Sequence, residues 1–191
     1  NHLNRLGFKS IHMSECVEKL SDKDYNDLIK NYKKLINLFK KALQRKKYSL
    51  LNKMSTILNL LTRIDNGGIR LKTCGAINNM FAVDIHGDLY PCQRLVAEKE
   101  YKIGDIYNGT DDEKCNKILQ EMMLEENSDC INCWVRNICG GSCPQINIVT
   151  MGSIKKSYPN YCKLMCNLIE ELIYFYIDLT EKEREVLFNR H

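Results

Sequence analysis

The stretch from Cys130 to Pro144 reads CINCWVRNICGGSCP and places four cysteines in the spacing C-x2-C-x5-C-x3-C. The whole chain has 191 residues and ten cysteines, nine of which lie between residues 74 and 166. The first residues contain no signal-peptide core, and no apolar run is long enough to span a membrane. We therefore expect a cytoplasmic protein without a membrane partner, whose thiols stay reduced. Cysteines in such a chain indicate metal binding before disulfides.

The charge pattern gives no reason to expect a nucleic-acid partner. The formal net charge is +4, and much of it comes from the run KKALQRKKY at residues 40–48. A short basic run of this kind is typical of the solvated face of a helix.

Zinc is one candidate for the cysteine-rich loop. A structural zinc ion usually takes four ligands from two short knuckles separated by a longer loop. Here Cys133 and Cys139 are separated by only five residues, which is tight for two knuckles around one ion. Zinc also leaves Cys74, Cys92 and Cys162 without a role.

Iron–sulfur clusters account for more of the cysteines. Bacterial ferredoxins use C-x2-C-x2-C-x3-C-P, in which the last cysteine binds the other of two clusters. The loop here has the same form with a wider middle gap, and Pro144 directly follows Cys143. By this analogy the first three cysteines of the loop bind one cluster, which Cys162 can complete as a fourth ligand. Cys143 then binds the other cluster, for which Cys74 and Cys92 are further ligands.

The complete pattern is Cys74-x12-Gly87-x4-Cys92, then the four-cysteine loop, then Cys162. It resembles, over residues 74 to about 166, the SPASM domain of radical S-adenosylmethionine (radical SAM) enzymes. The resemblance implies two auxiliary 4Fe–4S clusters. Cluster I would be held by Cys74, Cys92 and Cys143. Cluster II would be held by Cys130, Cys133, Cys139 and Cys162.

The radical-generating motif of such enzymes, C-x3-C-x2-C, does not occur in this sequence. The chain as given is therefore expected neither to bind nor to cleave S-adenosylmethionine, which would be a cofactor only of a full-length enzyme. The catalytic part either lies upstream in such an enzyme or was lost. The predicted function is the auxiliary-cluster domain of a peptide or protein maturase, supplied with electrons by a ferredoxin or flavodoxin. The alternatives are a free-standing ferredoxin-like electron carrier and a zinc-stabilised binding module.

Cluster I would have only three cysteine ligands. Sulfatase-maturing relatives carry a further cysteine a few residues after the first ligand, where this chain reads CGAINNMFAVD and has Met80 instead. We expect Met80 to be a core residue and the fourth iron position to be open to a substrate thiolate, which suits a thioether-forming maturase. Water, Asp84 or a spare cysteine are the alternative fourth ligands.

The predicted fold class is α+β. The resemblance implies that residues 1–68 are a helical remnant of a radical SAM α/β barrel and that residues 69–191 form the SPASM domain, with a β-hairpin, cysteine-rich loops and a closing helix. Local signals predict a short buried strand after Gly7 and a helix started by Ser21-x-x-Asp24. They also predict helices over residues 49–64 and 111–127, a hairpin at Gly87 and a last helix from about Tyr161.

Several residues near the motif have simpler interpretations. Cys16, Cys115 and Cys166 lie outside the pattern and are expected to be small buried apolar residues. His86 is expected to be a polar turn residue. Trp134 and Ile138 either shield a cluster from water or pack in the core. Gly140 and Gly141 are expected to let the backbone come close to cluster sulfurs.

Overall fold

The computed structural model describes residues 2–13, 20–96 and 98–188. Its helices and strands follow in the order α1 (His2–Arg5), α2 (Asp22–Gln44), α3 (Tyr48–Lys53), α4 (Ser55–Asp65), β1 (Ala82–Val83), β2 (Asp88–Tyr90), β3 (Gly104–Asp105), β4 (Gly109–Thr110), α5 (Asp112–Glu121), α6 (Arg136–Cys139), α7 (Pro144–Met151), α8 (Pro159–Ile177) and α9 (Glu181–Phe188). In these ranges, no helix combines the length and the apolar character that crossing a membrane requires.

The chain divides into two compact units. The first comprises Asn1–Ile69, Asn137–Cys139 and Pro159–His191, and the second comprises Arg70–Arg136 and Gly140–Tyr158. Helices combined with a small antiparallel sheet agree with the predicted α+β class. By compactness, α8 and α9 belong with the N-terminal helices. The division into residues 1–68 and 69–191 as family domains stays a prediction.

Helix α2 begins where the sequence predicts, at a complete capping box. The Ser21 backbone N–H donates to Asp24 Oδ2 at 2.9 Å, and Ser21 Oγ accepts from the Asp24 backbone N–H at 3.3 Å. These bonds satisfy backbone groups that a helix start leaves without partners.

The helix predicted over residues 49–64 is two helices. The chain breaks at Met54, whose backbone (φ −89°, ψ 57°) leaves the helical region, so α3 ends at Lys53 and α4 starts at Ser55. Met54 is buried, and the apolar residues of both helices face the same core. The continuous helical periodicity of the sequence therefore hides the break. The predicted end at Asn66-Gly67-Gly68 is correct, because α4 ends at Asp65.

The core of the first unit lies between α2, α4 and α8. Phe39 on α2 is fully buried, and its ring meets that of Phe175 on α8 edge to face, with centroids 5.9 Å apart. Leu61 on α4 and Leu172 on α8 are also fully buried in this cluster. The predicted closing helix is therefore correct, although it starts at Pro159 rather than near Tyr161.

The predicted strand after Gly7 is wrong. Residues 8–13, all of them described, form no strand, and Phe8 is 51% exposed. This segment instead contacts the junction of α3 and α4, where the Ile11 N–H donates to the Lys53 carbonyl at 2.8 Å and the Met13 N–H donates to Thr56 Oγ1 at 2.9 Å.

The second unit contains an antiparallel sheet in the order β1-β2-β3-β4. The predicted hairpin is present, with Ala82 opposite Tyr90 in β1 and β2. Gly87 takes the positive φ of 86° that the tight turn needs, and a Cβ there would lie 2.9 Å from the Ile106 side chain. Strands β3 and β4 extend the sheet through a second turn.

Helix α5 supports the second core but is shorter than predicted. Asp111 caps its start, and it ends at Glu121 rather than Asn127. The chain turns there because Met122 is fully buried and the Thr73 N–H donates to the Met122 carbonyl at 3.2 Å. Ile103, Ile118 and Met122 form the centre of this core.

We predict that Phe39→Ala lowers the free energy of unfolding by about 3–5 kcal/mol, because it leaves a cavity in the first core. Tyr174→Ala removes a ring of similar size that is 60% exposed, on the helix that carries Phe175, and should cost far less. Urea unfolding followed by circular dichroism measures both. Equal losses in the two variants would contradict the packing described here.

Candidate metal centre

The three cysteines predicted for cluster I belong to the second unit and come from three different local structures. Cys74 lies in the loop between α4 and β1, Cys92 in the turn after β2, and Cys143 at the N-cap of α7. Cys74 and Cys92 pack, half-buried, against the second core. Cys143 directly precedes the first residue of α7 and is half-buried.

The pKa of Cys92 is shifted by its surroundings, which include the other two cysteines. Burial is the main cause that raises the pKa of Cys92, and negative charge on Cys143 and Cys74 raises it further. The backbone N–H groups of Arg94 and Leu95 hydrogen-bond to Cys92 and act in the opposite direction. A bound cationic centre near Cys92 would favour its thiolate form and offset the effects that raise its pKa.

Polar atoms beside these cysteines also indicate a missing group. Thr73 Oγ1 and Gln145 Oε1 are buried, and neither has a hydrogen-bond partner in the described structure. Thr73 precedes Cys74, and Gln145 follows Cys143 by two residues. Buried polar atoms without partners are costly, so the two atoms fit a site that is completed by a bound group.

The cysteines predicted for cluster II are divided between the units. Cys130 and Cys133 form a tight turn in the second unit, in which the Cys133 N–H donates to the Cys130 carbonyl at 3.0 Å. Cys139 ends α6 and Cys162 lies in the first turn of α8, and both belong to the first unit. Ligation of one cluster by all four stays a prediction.

Cys130 is the most buried of the predicted ligands. Its side chain is buried beside Ser157, with 3.5 Å between Sγ and the Ser157 Oγ. Burial raises the pKa of Cys130, the hydrogen bond with Ser157 lowers it, and charge on Cys133 raises it. The two cysteines of the C-x2-C turn are therefore neighbours, as the spacing predicts.

Gly141 brings the backbone close to one predicted ligand, while the approach of the glycine pair to cluster sulfurs stays a prediction. Gly140 and Gly141 both have a φ of 78°. A Cβ at Gly141 would lie 2.9 Å from Thr73 Cγ2, 3.0 Å from Leu124 Cδ2 and 3.9 Å from Cys130 Sγ. At Gly141, which lies near the predicted ligand Cys130, a side chain is disfavoured by the positive φ and by the lack of room for a Cβ.

A buried polar network beside the C-x2-C turn was missed by sequence reasoning. Asn127 Oδ1 accepts from the backbone N–H groups of Asp129 at 3.0 Å and of Cys130 at 3.2 Å. Asn127 Nδ2 donates to Ser157 Oγ at 3.2 Å. Asn147 donates to the Ile154 carbonyl at 3.3 Å and also bonds Ser142. Isolated buried polar residues follow no periodic pattern that a sequence could reveal. The only sequence signal for this network is Asn-Ser-Asp at residues 127–129, which is typical of a turn.

Residues outside the ligand pattern have mixed outcomes. The apolar interpretation is correct for Cys115, which is buried in the second core, while Cys166 is half-buried on α8 and Cys16 lies outside the described residues. Met80 is 41% exposed, so its expected core packing is wrong. Trp134 is 61% exposed, which excludes its core-packing alternative and leaves cluster shielding a prediction.

Ile138, His86 and Asp84, which are near the predicted ligands in the sequence, have roles in core packing or in a turn. Ile138 packs against the first core. His86 is an exposed turn residue, as predicted. Asp84 Oδ1 closes the same turn by accepting from the N–H groups of His86 and Asp88, both at 2.9 Å. The N–H groups of Asp88 and His86 lower the pKa of Asp84, so this carboxylate already has a structural role.

The described cysteines are neither paired nor gathered around one ion. None of the nine described cysteines forms a disulfide. Among the described residues, no three His, Cys, Asp or Glu side chains are arranged to hold one metal ion. The preference for 4Fe–4S clusters over zinc therefore stays a prediction from the sequence.

Comparison with known proteins identifies a fold relative. No family profile matches the sequence. An uncharacterized protein of Archaeoglobus fulgidus is 25% identical over 95 residues, which are 49% of this chain and 23% of that protein. The solved structure of hexahistidine-tagged anSMEcpe with bound AdoMet matches 93% of this chain and 47% of its own, with a TM-score of 0.58 and 20% identity. The matches cover less than half of either relative. The chain therefore shares its fold with part of this AdoMet-bound protein.

We predict that Gly141→Ala destabilises the protein more than Gly152→Ala does. Both glycines have positive φ, which costs alanine about 1–2 kcal/mol. Nothing lies within 4 Å of a Cβ at Gly152, whereas Gly141 is crowded, which adds about 1–3 kcal/mol. Thermal unfolding of the two variants measures the difference. Equal shifts would show that the close approach at Gly141 is not needed.

Proposed function

We propose that this chain is the auxiliary-cluster (SPASM) part of a radical SAM enzyme that modifies a peptide or protein. It holds two 4Fe–4S clusters. Cluster I has the ligands Cys74, Cys92 and Cys143. Cluster II has the ligands Cys130, Cys133, Cys139 and Cys162.

One observation carries this proposal. Cys74, Cys92 and Cys143 are far apart in the sequence, yet they belong to one compact unit in which Cys143 and Cys74 both raise the pKa of Cys92. A bound cationic centre would offset that effect by favouring the thiolate form, as it does at metal and cluster sites. The side-chain atoms Thr73 Oγ1 and Gln145 Oε1, buried and without hydrogen-bond partners in the described structure, lie next to or near two of these cysteines in the sequence.

The fold comparison supports the proposed relation to an enzyme that uses AdoMet. The matched chain is described as binding AdoMet, the substrate from which radical SAM enzymes generate their radical. The present chain matches about half of that protein and contains no C-x3-C-x2-C motif. Under this proposal, radical generation takes place in a part of the full enzyme other than this sequence, and this chain acts on the substrate side of the reaction.

The residues of this chain contribute ligation, shielding and hydrogen bonds. The clusters, when bound, supply an electron acceptor and, at cluster I, an iron position that no cysteine in the pattern occupies. Half-burial of Cys74 and Cys92 limits access of water, and the N–H groups of Arg94 and Leu95 stabilise negative charge on the Cys92 sulfur. The proposed substrate is a cysteine-containing peptide, whose thiolate would bind at the open position of cluster I. Forming the thioether would break a C–H bond of the peptide. The hydrogen atom would go to the radical generated in the full enzyme, the thiolate sulfur would bond to the carbon, and the remaining electron would pass to a cluster. A ferredoxin or flavodoxin is the proposed electron donor.

Anaerobic reconstitution should give iron and acid-labile sulfide equal to two 4Fe–4S clusters per chain. Cys92→Ala should lose one cluster and Cys133→Ala the other, and Cys133→Ala should also lower thermal stability because ligation and folding are coupled. Cys166→Ala is the control and should retain both. A single cluster in the parent protein, or zinc alone, would refute the proposal. Loss of a cluster in Cys166→Ala would reassign the ligands.

The open position of cluster I predicts a specific response to substrate. Electron paramagnetic resonance spectra of the reduced protein should change when a cysteine-containing peptide is added, and should not change with the same peptide carrying serine. Cys92→Ala, which lacks cluster I, should abolish the response. Identical spectra with both peptides would mean that a fourth protein ligand or water holds the position.

A further inference from the structure

The hydroxyl of Ser157 lies at hydrogen-bonding distance from the sulfur of a predicted cluster ligand. Ser157 Oγ is 3.5 Å from Cys130 Sγ, and both residues are at most 5% exposed. Distance alone does not say which group donates. The surrounding hydrogen bonds do, because every donor and acceptor in this buried site has to be matched.

The orientation of the Asn127 amide decides the direction. Its Oδ1 accepts from the N–H groups of Asp129 and Cys130, at 3.0 and 3.2 Å. The opposite orientation would set an NH2 group against two N–H donors. The Asn127 Nδ2 is therefore the atom that faces Ser157 Oγ at 3.2 Å and the Ile154 carbonyl at 3.5 Å.

The hydroxyl hydrogen of Ser157 is consequently left for the sulfur. A hydroxyl group has one hydrogen and two acceptor positions, and one acceptor position is used by Asn127. The backbone N–H of Ser157 donates to Asp129 Oδ2 at 2.8 Å, which fixes the residue in place. Among the contacts of the described residues, Cys130 Sγ is then the acceptor for the hydroxyl.

We infer that Asn127 and Ser157 form a relay that holds an O–H donor on the Cys130 sulfur and thereby raises the reduction potential of cluster II. The inference rests on the proposed function, since it takes Cys130 as a cluster ligand. Hydrogen bonds to ligand sulfurs stabilise the more negative, reduced form of a cluster. Ser157 thus acts through Cys130 as a positioning residue.

The test compares Ser157→Ala with Ser142→Ala. Both remove a buried hydroxyl from the same polar network, but Ser142 bonds Asn147 rather than a cysteine. Midpoint potentials of both clusters are measured by redox titration with electron paramagnetic resonance detection. At a fixed applied potential, Ser157→Ala should lower the ratio of reduced to oxidised cluster II about tenfold. This corresponds to a midpoint potential that is lower by about 59 mV for a one-electron couple. Cluster I in the same sample, and both clusters in Ser142→Ala, should keep their potentials.

A second pair of variants tests the same inference if Ser157→Ala does not fold. Ser157→Thr and Ser157→Val have the same shape, and only threonine has the hydroxyl. The valine variant should have the lower potential at cluster II, and its resonance Raman spectrum should show shifted iron–sulfur stretching frequencies for cluster II but not for cluster I. If cluster II has equal midpoint potentials in the threonine and valine variants, or in the parent and Ser157→Ala, the relay is wrong. The proposed function would not be affected by that result. A parent protein with no cluster at Cys130 would overturn the relay together with the proposed function.

Discussion

The free-energy cost of ionising half-buried cysteine thiols is the constraint on which metal binding by the second unit would depend. Cys74, Cys92 and Cys143 come from a loop, a turn after a strand and a helix N-cap, and all three are half-buried. Burial raises the pKa of Cys92, so a compensating cation would favour its thiolate form. A bound cluster would supply that compensation, so under the proposed function ligation and folding of this unit are coupled.

Irregular backbone around the cysteines is held by side-chain amides rather than by strands. Asn127 fixes the C-x2-C turn to the segment at Ser157, and Asn147 on α7 bonds the Ile154 carbonyl. Leaving one such buried polar group without a partner costs about 1–3 kcal/mol. The network therefore defines one loop conformation, and the same conformation sets a hydroxyl group beside Cys130.

The sequence predicted elements that depend on local patterns. The capping box at Ser21, the hairpin at Gly87 and the last helix could all be found because their signals lie within a few residues. The break at Met54 could not, because the helical periodicity of buried residues continues across it. The cysteine spacing predicted the neighbouring pair Cys130 and Cys133, but the burial of Asn127 and Ser157 depends on contacts between segments that no spacing records.

The central claim is that two clusters are held by two separate cysteine sets, and diffraction from the anaerobically reconstituted protein tests it most directly. Anomalous scattering at the iron edge locates iron independently of any assumed ligand. The account predicts two iron centres, one bonded to Cys74, Cys92 and Cys143, and the other to the cysteine set that includes Cys130. A single centre, a signal only at the zinc edge, or disulfides among these cysteines would contradict it.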